Sequence, residues 1–233
     1  MKMSQVYPQP KDLSVKAIVD EQYCSVKATT LTVWNKSQVL AGQGFTALDS
    51  NGNLLFRVDT YDDLLLMDAR GKPLLTLCRK LPSLHQRWEG FLGNKIDGKK
   101  PLFTVRKSSI LPTNNCVQVF LNCGFICKPC ADYEIEGSFS QRGCTIYAST
   151  PRVPAAMVGF FCVSVISGTV KRKRGAAGIM LGKQVFSLCI EHGFDQAFIM
   201  GLIIVLDQID SDLPLVKLIA EQFNCSETAT ASP

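Results

Sequence analysis

The sequence predicts a mainly β protein in which a closed antiparallel barrel surrounds one hydrophobic helix near the C-terminus. Two observations predict this fold. Short runs in which apolar and polar residues alternate recur from about residue 15 to residue 150, as expected for strands with one buried face. The chain then has ten consecutive residues without a charged or hydrogen-bonding side chain, Ala197–Leu206. A helix that is apolar on every side has to be enclosed, and a barrel encloses it without leaving a free sheet edge.

The strand pattern is clearest where aliphatic or aromatic residues occupy alternate positions. The connections between these runs carry hairpin signals that combine Asp, Asn and Gly. Short connections join neighbouring antiparallel strands, so the pattern predicts a meander that forms a sandwich or a barrel. The alternating runs are Leu31–Val33, Leu54–Val58, Phe103–Val105 and Val117–Leu121, and the turn signals are Asp49–Gly52, Asp68–Gly71 and Asp97–Gly98.

We predict the core helix near residues 194–209. Its apolar run is about half of the roughly 20 residues that a membrane-spanning helix needs, which favours a helix inside the protein. Asp195 suits the helix start, because the positive end of the helix dipole stabilises a carboxylate. The opening stretch and Leu213–Phe223 also have helical features, and the tail after them is polar. The core positions of the main helix are Phe198, Leu202, Ile203 and Leu206.

The composition is that of a globular protein with a mildly basic charge. Of the 233 residues, 46% are hydrophobic and 19% are charged, and the formal net charge is +5. Such a charge is compatible with an acidic partner but does not identify one. The N-terminus lacks the apolar stretch of a secretory signal, so we expect an intracellular protein, cytoplasmic or nuclear or at a membrane surface, that is not secreted. The ten cysteines are then expected to be mostly free thiols.

The best metal candidate is the cysteine cluster Cys123, Cys127 and Cys130, with Cys116 or Cys144 as a fourth ligand. Structural zinc usually takes two close ligand pairs, whereas this cluster contains one CxxC and no second pair. Free thiols in a strand-turn-strand segment are the alternative interpretation. We predict no metal and no cofactor.

No residue pattern indicates catalysis. His85 and His192 have no visible acidic or nucleophilic partner. The segment Gly178–Gln184 resembles a phosphate-binding loop but has one residue too few between its glycines and ends in Gln instead of Ser or Thr. We therefore predict a protein that is not an enzyme.

Several segments, in the same order as in known proteins, resemble the plant LURP-one-related family. The last segment and the region around Trp88 are the most specific. The segments are Leu31–Asp59, Leu74–Gly93, Asp132–Tyr147, Val170–Lys173 and Gly193–Ile209.

The resemblance implies a twelve-stranded barrel of the tubby-like type, threaded by a hydrophobic C-terminal helix. It also implies a relation to phospholipid scramblases and to tubby-like proteins, which are proposed to be membrane-tethered transcription regulators. On this basis we divide the chain into an N-terminal segment (1–25), the barrel with its helix (26–212) and a short helix with a polar tail (213–233).

The segment Val153–Gly168 departs from the family pattern, because similar proteins pass almost directly from the strand at Cys144–Tyr147 to the basic strand at Val170–Lys173. The longer stretch Val153–Val170 contains no charged residue. Three interpretations are open. The segment is long enough to be a short membrane helix, with the basic run after it on the cytoplasmic side. Its content of Val, Phe and Ser also suits a hairpin inserted at the rim of the barrel. The third interpretation is a sequence artefact, such as a translated intron.

The most compact basic run, Lys171, Arg172, Lys173 and Arg174, is the candidate lipid-binding site. Near an anionic membrane each such charge contributes about 1 kcal/mol of attraction. In a strand only alternate side chains share a face, so half of the run would act together. A solvated turn or strand end is the competing interpretation.

Our leading hypothesis is a non-enzymatic barrel that binds anionic membrane lipid, including phosphoinositides, and protein partners. A nucleic-acid-binding transcription regulator is the first alternative, although basic and aromatic residues do not interleave and no DNA-binding motif is present. Scramblase-like lipid transfer is the second, and it requires residues 153–170 to span a membrane.

Overall fold

The computed structural model describes residues 17–35, 44–60, 64–81, 83, 85–94, 98, 100–109, 116–121, 130–150, 152–159 and 184–211. These residues form twelve strands, one α-helix and a short 3-10 helix at Glu21–Tyr23. The strands are β1 Thr29–Asn35, β2 Phe45–Leu48, β3 Leu54–Thr60, β4 Leu64–Asp68, β5 Pro73–Arg79, β6 Trp88–Leu92, β7 Phe103–Lys107, β8 Val117–Leu121, β9 Tyr133–Ser138, β10 Gly143–Ser149, β11 Arg152–Gly159 and β12 Val185–Ile190. The helix, α1, is Gln196–Ser211.

The twelve strands form a closed antiparallel barrel. Each strand pairs with its neighbours in sequence, and β1 pairs with β12 to close the sheet. In that closing pair Thr29 lies opposite Ile190 and Trp34 lies opposite Val185. The predicted fold class, a mainly β closed barrel with a C-terminal helix, is confirmed.

The alternating pattern decides which side of each strand faces the interior. In β1, Leu31 and Val33 are completely buried. Opposite them in β12, Leu188 and Phe186 are also buried. Their polar neighbours lie on the other face of the sheet, because successive side chains of a strand point to opposite sides.

The hairpin turns are built by side chains that accept hydrogen bonds from their own loop. The Asp49 carboxylate accepts from the backbone N–H groups of Asn51 and Asn53, each at 2.8 Å. These bonds lower the pKa of Asp49, with the largest contribution from the Asn53 side chain. Gly52 has a φ of +84°, a conformation that favours glycine. Asp68 organises the next hairpin in the same way.

Helix α1 runs through the interior of the barrel. All residues of Ala197–Leu206 are buried, so the helix is enclosed on every side. A Cβ at Gly201 would lie 2.8 Å from the Leu75 Cδ1 atom, which explains why the helix has no side chain where β5 passes. Phe198 packs edge-on against Phe103 of β7, with ring centroids 5.2 Å apart. The core positions Leu202, Ile203 and Leu206 are buried as well.

The segment before β1 packs onto the barrel at the start of the helix. Asp195 Oδ2 accepts hydrogen bonds from the N–H groups of Ile18, Val19 and Asp20, at 2.7 to 3.1 Å. Cys24 also forms a β-bridge with Asp195. Residues 18–24 of the predicted N-terminal segment therefore belong to the packed structure.

The structure corrects the alternative of a membrane helix that starts at Val153. Arg152–Gly159 form β11, which pairs with β10 and β12. Residues 160–168 of that segment, the opening stretch and the helix predicted at Leu213–Phe223 lie outside the described residues. Within the described part of the chain, no helix combines the length and the hydropathy needed to cross a membrane.

Candidate functional site

The barrel has two different ends, which we name after the helix inside it. At the N-terminal rim, where α1 begins, residues 18–25 close the barrel. Gly193 N donates to Ser25 O at 2.8 Å, and the Tyr23 ring packs against Phe56 with centroids 5.4 Å apart. Asp195 Oδ1 accepts from the first N–H groups of the helix. At this rim a single carboxylate, that of Asp195, joins the helix to the segment before β1 by accepting hydrogen bonds from backbone N–H groups of both.

At the C-terminal rim, where α1 ends, charged side chains meet in the interior. Asp207 of α1 accepts a hydrogen bond from Asn35 Nδ2 at 2.7 Å and lies 3.9 Å from Arg142 Nη2. The Arg142 guanidinium carbon is 4.2 Å from the centroid of the Phe139 ring and 4.4 Å from that of the Phe186 ring. These contacts attach the end of the helix to β1, β12 and the β9–β10 turn.

Burial dominates the titration of this cluster. It raises the pKa of Asp207, although the Arg142 charge opposes the rise. It also raises the pKa of Asp210, against a backbone hydrogen bond from Ser140 and the charges of Lys107 and Arg142. The pKa of Arg142 is lowered by burial despite the two aspartates. The cluster is a structural anchor, because its members are engaged with one another inside the barrel.

The outside of the same rim carries a group of basic side chains. Lys80 N donates to Arg87 O at 2.9 Å, so the two arms of the β5–β6 connection stay together. Lys107 N donates to His85 O at 3.0 Å, which joins this connection to the end of β7. We call Arg79, Lys80, Arg87 and Lys107 the basic rim.

Carboxylates lie close to some of the side chains of the basic rim. Glu89 lies 2.9 Å from Arg87 Nη2 and 3.8 Å from Lys80 Nζ. The charge of Lys107 also acts on Asp210, so carboxylates partly neutralise this group. Lys80 and Arg87 are still 58% and 40% exposed, so their charge is presented to solvent.

An apolar side chain stands beside these charges. Leu81 follows Arg79 and Lys80 directly, and 69% of its surface is exposed. Large aliphatic side chains with this exposure are few among the described residues. The rim thus combines cations with an exposed leucine, a combination that suits an anionic surface with an apolar layer beneath it.

The predicted lipid-binding residues Lys171–Arg174 lie outside the described residues. They belong to the connection between β11 and β12. Gly159, which ends β11, and Gln184, which precedes β12, are both at the C-terminal rim, since Gln184 O accepts from Asn35 N. The described residues on either side of this connection therefore lie at the end of the barrel that carries the basic rim.

Of the predicted metal candidates, Cys123 and Cys127 are outside the described residues, whereas Cys116 is partly buried, Cys130 is exposed and Cys144 is buried. Burial raises the pKa of Cys144 to about 12, so this thiol is protonated. No group of three potential metal ligands occurs within the described ranges. Cys24 and Cys78 are partly buried, and Cys189 is disulfide-bonded.

The two histidines occupy unrelated positions. His85 Nδ1 is 3.2 Å from Lys107 O, beside the basic rim. His192 is exposed on the turn between β12 and α1. The sequence contains the pairs Arg79-Lys80 and Arg106-Lys107, but it does not indicate that Arg87 and Leu81 lie beside them. That information lies in the pairing of β5, β6 and β7, which no local pattern contains.

Comparisons with known proteins agree with this architecture. The family model described as LURP-one-related matches residues 29–207. Protein LURP-one-related 5 of Arabidopsis thaliana is 44% identical over 205 residues, which are 84% of this chain and 90% of that protein. Protein LURP-one-related 12 of the same plant is 43% identical over 216 residues, 88% of this chain and 89% of that protein.

A solved structure shows the same fold. The X-ray structure of an Arabidopsis thaliana protein superposes with a TM-score of 0.59 at 25% sequence identity, covering 83% of this chain and 98% of that chain. The family model matches most of the chain, and two relatives exceed 40% identity over nearly their whole length. The chain belongs to the LURP-one-related family.

Proposed function

We propose that this protein is a non-enzymatic regulator that attaches to anionic membrane surfaces through the basic rim. The observation that carries the proposal is the pair of exposed basic side chains, Arg79 and Lys80, directly beside the exposed Leu81. The relation to tubby-like proteins and phospholipid scramblases implied by the resemblance is consistent with a lipid surface as the partner. The basic run Lys171–Arg174 extends the site if it reaches the same membrane.

The expected attraction is moderate. Each basic residue near an anionic surface contributes about 1 kcal/mol, so the two exposed cations, Arg79 and Lys80, contribute roughly 2 kcal/mol. Burial of one leucine side chain in the acyl region adds roughly 1.5–3 kcal/mol. An attraction of this size corresponds to reversible binding to the membrane surface. Insertion of a membrane-spanning helix, by contrast, is effectively irreversible.

The non-enzymatic part of the proposal is supported by the engagement of the candidate catalytic groups. The His85 ring contacts the Lys107 carbonyl, and the Cys144 thiol is buried with its pKa raised to about 12. A nucleophile needs a lowered pKa or an adjacent base, and neither condition holds for Cys144.

Sedimentation with lipid vesicles tests the proposal. The full chain is mixed with vesicles of phosphatidylcholine alone or of phosphatidylcholine with a phosphatidylinositol phosphate. We expect retention only by the second kind, and its loss when the Debye length falls from about 30 Å at 0.01 M salt to about 3 Å at 1 M salt. Equal retention by neutral vesicles would exclude the electrostatic mechanism.

The basic run requires a separate variant. Replacing Lys171, Arg172, Lys173 and Arg174 by glutamine should weaken retention further if this run also contacts the membrane. Unchanged retention would restrict the site to the basic rim. A steep salt dependence of binding to duplex DNA, without retention by vesicles, would favour the nucleic-acid alternative.

A further inference from the structure

One of the two tryptophans of the chain lies on the outer surface of the barrel. Trp34 is 37% exposed, whereas Trp88 is 6% exposed and belongs to the core. Trp34 faces outwards, because its neighbour Val33 is completely buried and successive side chains of a strand point to opposite sides. Among the described residues, Trp34 is the aromatic member of a small group of large apolar side chains that are exposed.

Trp34 is placed at the C-terminal rim by the sheet itself. The next residue, Asn35, donates its side-chain N–H to Asp207, near the end of α1, at 2.7 Å. Trp34 pairs with Val185 of β12 on one side and with Thr46 of β2 on the other. Because β1 is paired on both sides, the indole is presented by an ordered strand and not by a loop.

The indole ring is not engaged with other side chains. Among the described residues, none forms a hydrogen bond with the Trp34 side chain or stacks on its ring. An indole combines a large apolar surface with one N–H donor, which suits the boundary between water and acyl chains. Tryptophan is enriched at this boundary in membrane proteins for the same reason.

Trp34 and Leu81 are exposed at the same rim but on different parts of its circumference. Leu81 follows β5, whereas Trp34 belongs to β1, and β2, β3 and β4 lie between these strands. Four spacings of about 4.8 Å separate β1 from β5, roughly 19 Å around the barrel. A flat surface that touches both side chains therefore faces the end of the barrel. The exposed Val26 and Leu92 lie at the opposite rim.

We propose that Trp34 is a second membrane-contact residue, and that the C-terminal rim meets an anionic membrane end-on with Trp34 and Leu81 both in its interface. This inference rests on the function proposed above and adds the orientation of the barrel to it. In this orientation the C-terminal end of α1 points towards the membrane.

Tryptophan fluorescence tests the contact directly, because one substitution isolates each ring. Trp88→Phe leaves Trp34 as the reporter, and Trp34→Phe leaves the buried Trp88 as the matched control. Each full chain is titrated with vesicles of phosphatidylcholine and a phosphatidylinositol phosphate, with or without brominated acyl chains. We expect the emission of Trp34 to move to shorter wavelength and to be quenched by the brominated lipid, while that of Trp88 stays unchanged. If Trp88→Phe does not fold, the difference between the wild-type and Trp34→Phe spectra reports Trp34.

Moving the reporter tests the orientation. In a chain that carries Trp34→Phe and Trp88→Phe, Leu81→Trp places the ring at the C-terminal rim and Val26→Trp places it at the N-terminal rim. We expect brominated lipid to quench the reporter at position 81 but not at position 26. Stronger quenching at position 26 than at positions 34 and 81 would overturn the end-on contact.

Removal of the indole should weaken binding. Trp34→Ser should lower partitioning onto the same vesicles roughly 5- to 30-fold, because about a third of a large apolar side chain no longer enters the interface. Trp34→Phe retains most of the apolar surface and should cause a smaller loss. Co-sedimentation at low salt measures both variants, and equal binding of Trp34→Ser and the wild type would contradict the proposal.

The outcomes separate this inference from the proposed function. If the wild type is not retained by these vesicles, the proposed function fails and this inference fails with it. Retention without a change in Trp34 emission overturns this inference alone. A Trp34 emission that shifts with protein concentration in the absence of vesicles would assign the residue to a contact between copies of the chain, and would also overturn it.

Discussion

The two rims of the barrel hold the ends of the same helix by different means. At the N-terminal rim, the Asp195 carboxylate accepts five backbone hydrogen bonds, and the chain before β1 covers the end. At the C-terminal rim, Asp207 is held by two side chains, Asn35 and Arg142. A hydrogen bond from a backbone N–H group to Asp195 needs the donor segment in place but no particular residue type. A hydrogen bond or ion pair from a side chain to Asp207 needs a particular residue. Both rims present cations to solvent, and we propose a membrane contact at the C-terminal rim because its cations stand beside the exposed Leu81.

The largest expected effect is at the N-terminal rim. Asp195→Ala leaves the N–H groups of Ile18, Val19 and Asp20, and those of the first helical turn, without their acceptor. Because the acceptor is charged and buried, we expect the free energy of unfolding to fall by about 3–5 kcal/mol. Urea denaturation followed by circular dichroism measures it. A loss below about 1 kcal/mol would show that water replaces the carboxylate at this end.

At the C-terminal rim we expect a smaller effect that a second substitution reverses. Arg142→Met keeps the packing between Phe139 and Phe186 but leaves Asp207 without its counter-charge, which should lower the free energy of unfolding by about 2–4 kcal/mol. The double variant with Asp207→Asn should recover most of this loss. A double variant as unstable as the single one would mean that Arg142 acts through its ring contacts.

Leu81→Ser tests whether the exposed leucine enters the membrane. The side chain is 69% exposed, so its removal should hardly change the stability of the protein. Loss of its burial in lipid should weaken partitioning onto anionic vesicles by about 1–2 kcal/mol, roughly five- to thirtyfold. An unchanged partition coefficient would mean that attachment is electrostatic alone. The control is Val26→Ser, which changes an apolar residue before β1 that is 90% exposed.

The smallest effect depends on pH. Burial raises the pKa of Asp210 above its ordinary value of 3.8, so the folded state binds this proton more tightly than the unfolded state does. The favourable contribution is complete below pH 3.8 and is lost as the pH rises through the raised value. Asp210→Asn should therefore stabilise the protein at pH 7 and change little below pH 3.8. Urea denaturation of the wild type and the variant at pH 7 and below pH 3.8 tests this prediction. The same change in the free energy of unfolding at both pH values would exclude the burial effect.

Sequence periodicity was sufficient to predict the barrel and its helix. Leu31 and Val33 alternate because one face of β1 is buried, and Ala197–Leu206 is apolar throughout because the barrel encloses it. The placement of Asp195 at the helix start was also predictable from the helix dipole. Its partners Ile18 and Val19 were not, because they are more than 170 residues away and donate only through the backbone.

The basic rim could be predicted only in part. The pair Arg79-Lys80 is visible in the sequence, and its position at a strand end follows from the alternating run before it. The approach of Arg87 and Lys107 depends on the register of β6 with β5 and β7. When the turns that connect strands differ in length, a local sequence pattern does not fix the register between those strands. The run Lys171–Arg174 remains a prediction.

The most direct test of the central claim compares two charge-matched variants. Arg79→Gln with Lys80→Gln removes two charges from the basic rim. Arg70→Gln with Lys72→Gln removes two from the exposed β4–β5 turn at the N-terminal rim and leaves the backbone bonds to Asp68 intact. At low salt, the first variant should partition onto phosphoinositide vesicles about 10- to 30-fold more weakly than the wild type, and the second should bind as the wild type does. Equal weakening of both variants would contradict a membrane site at the C-terminal rim.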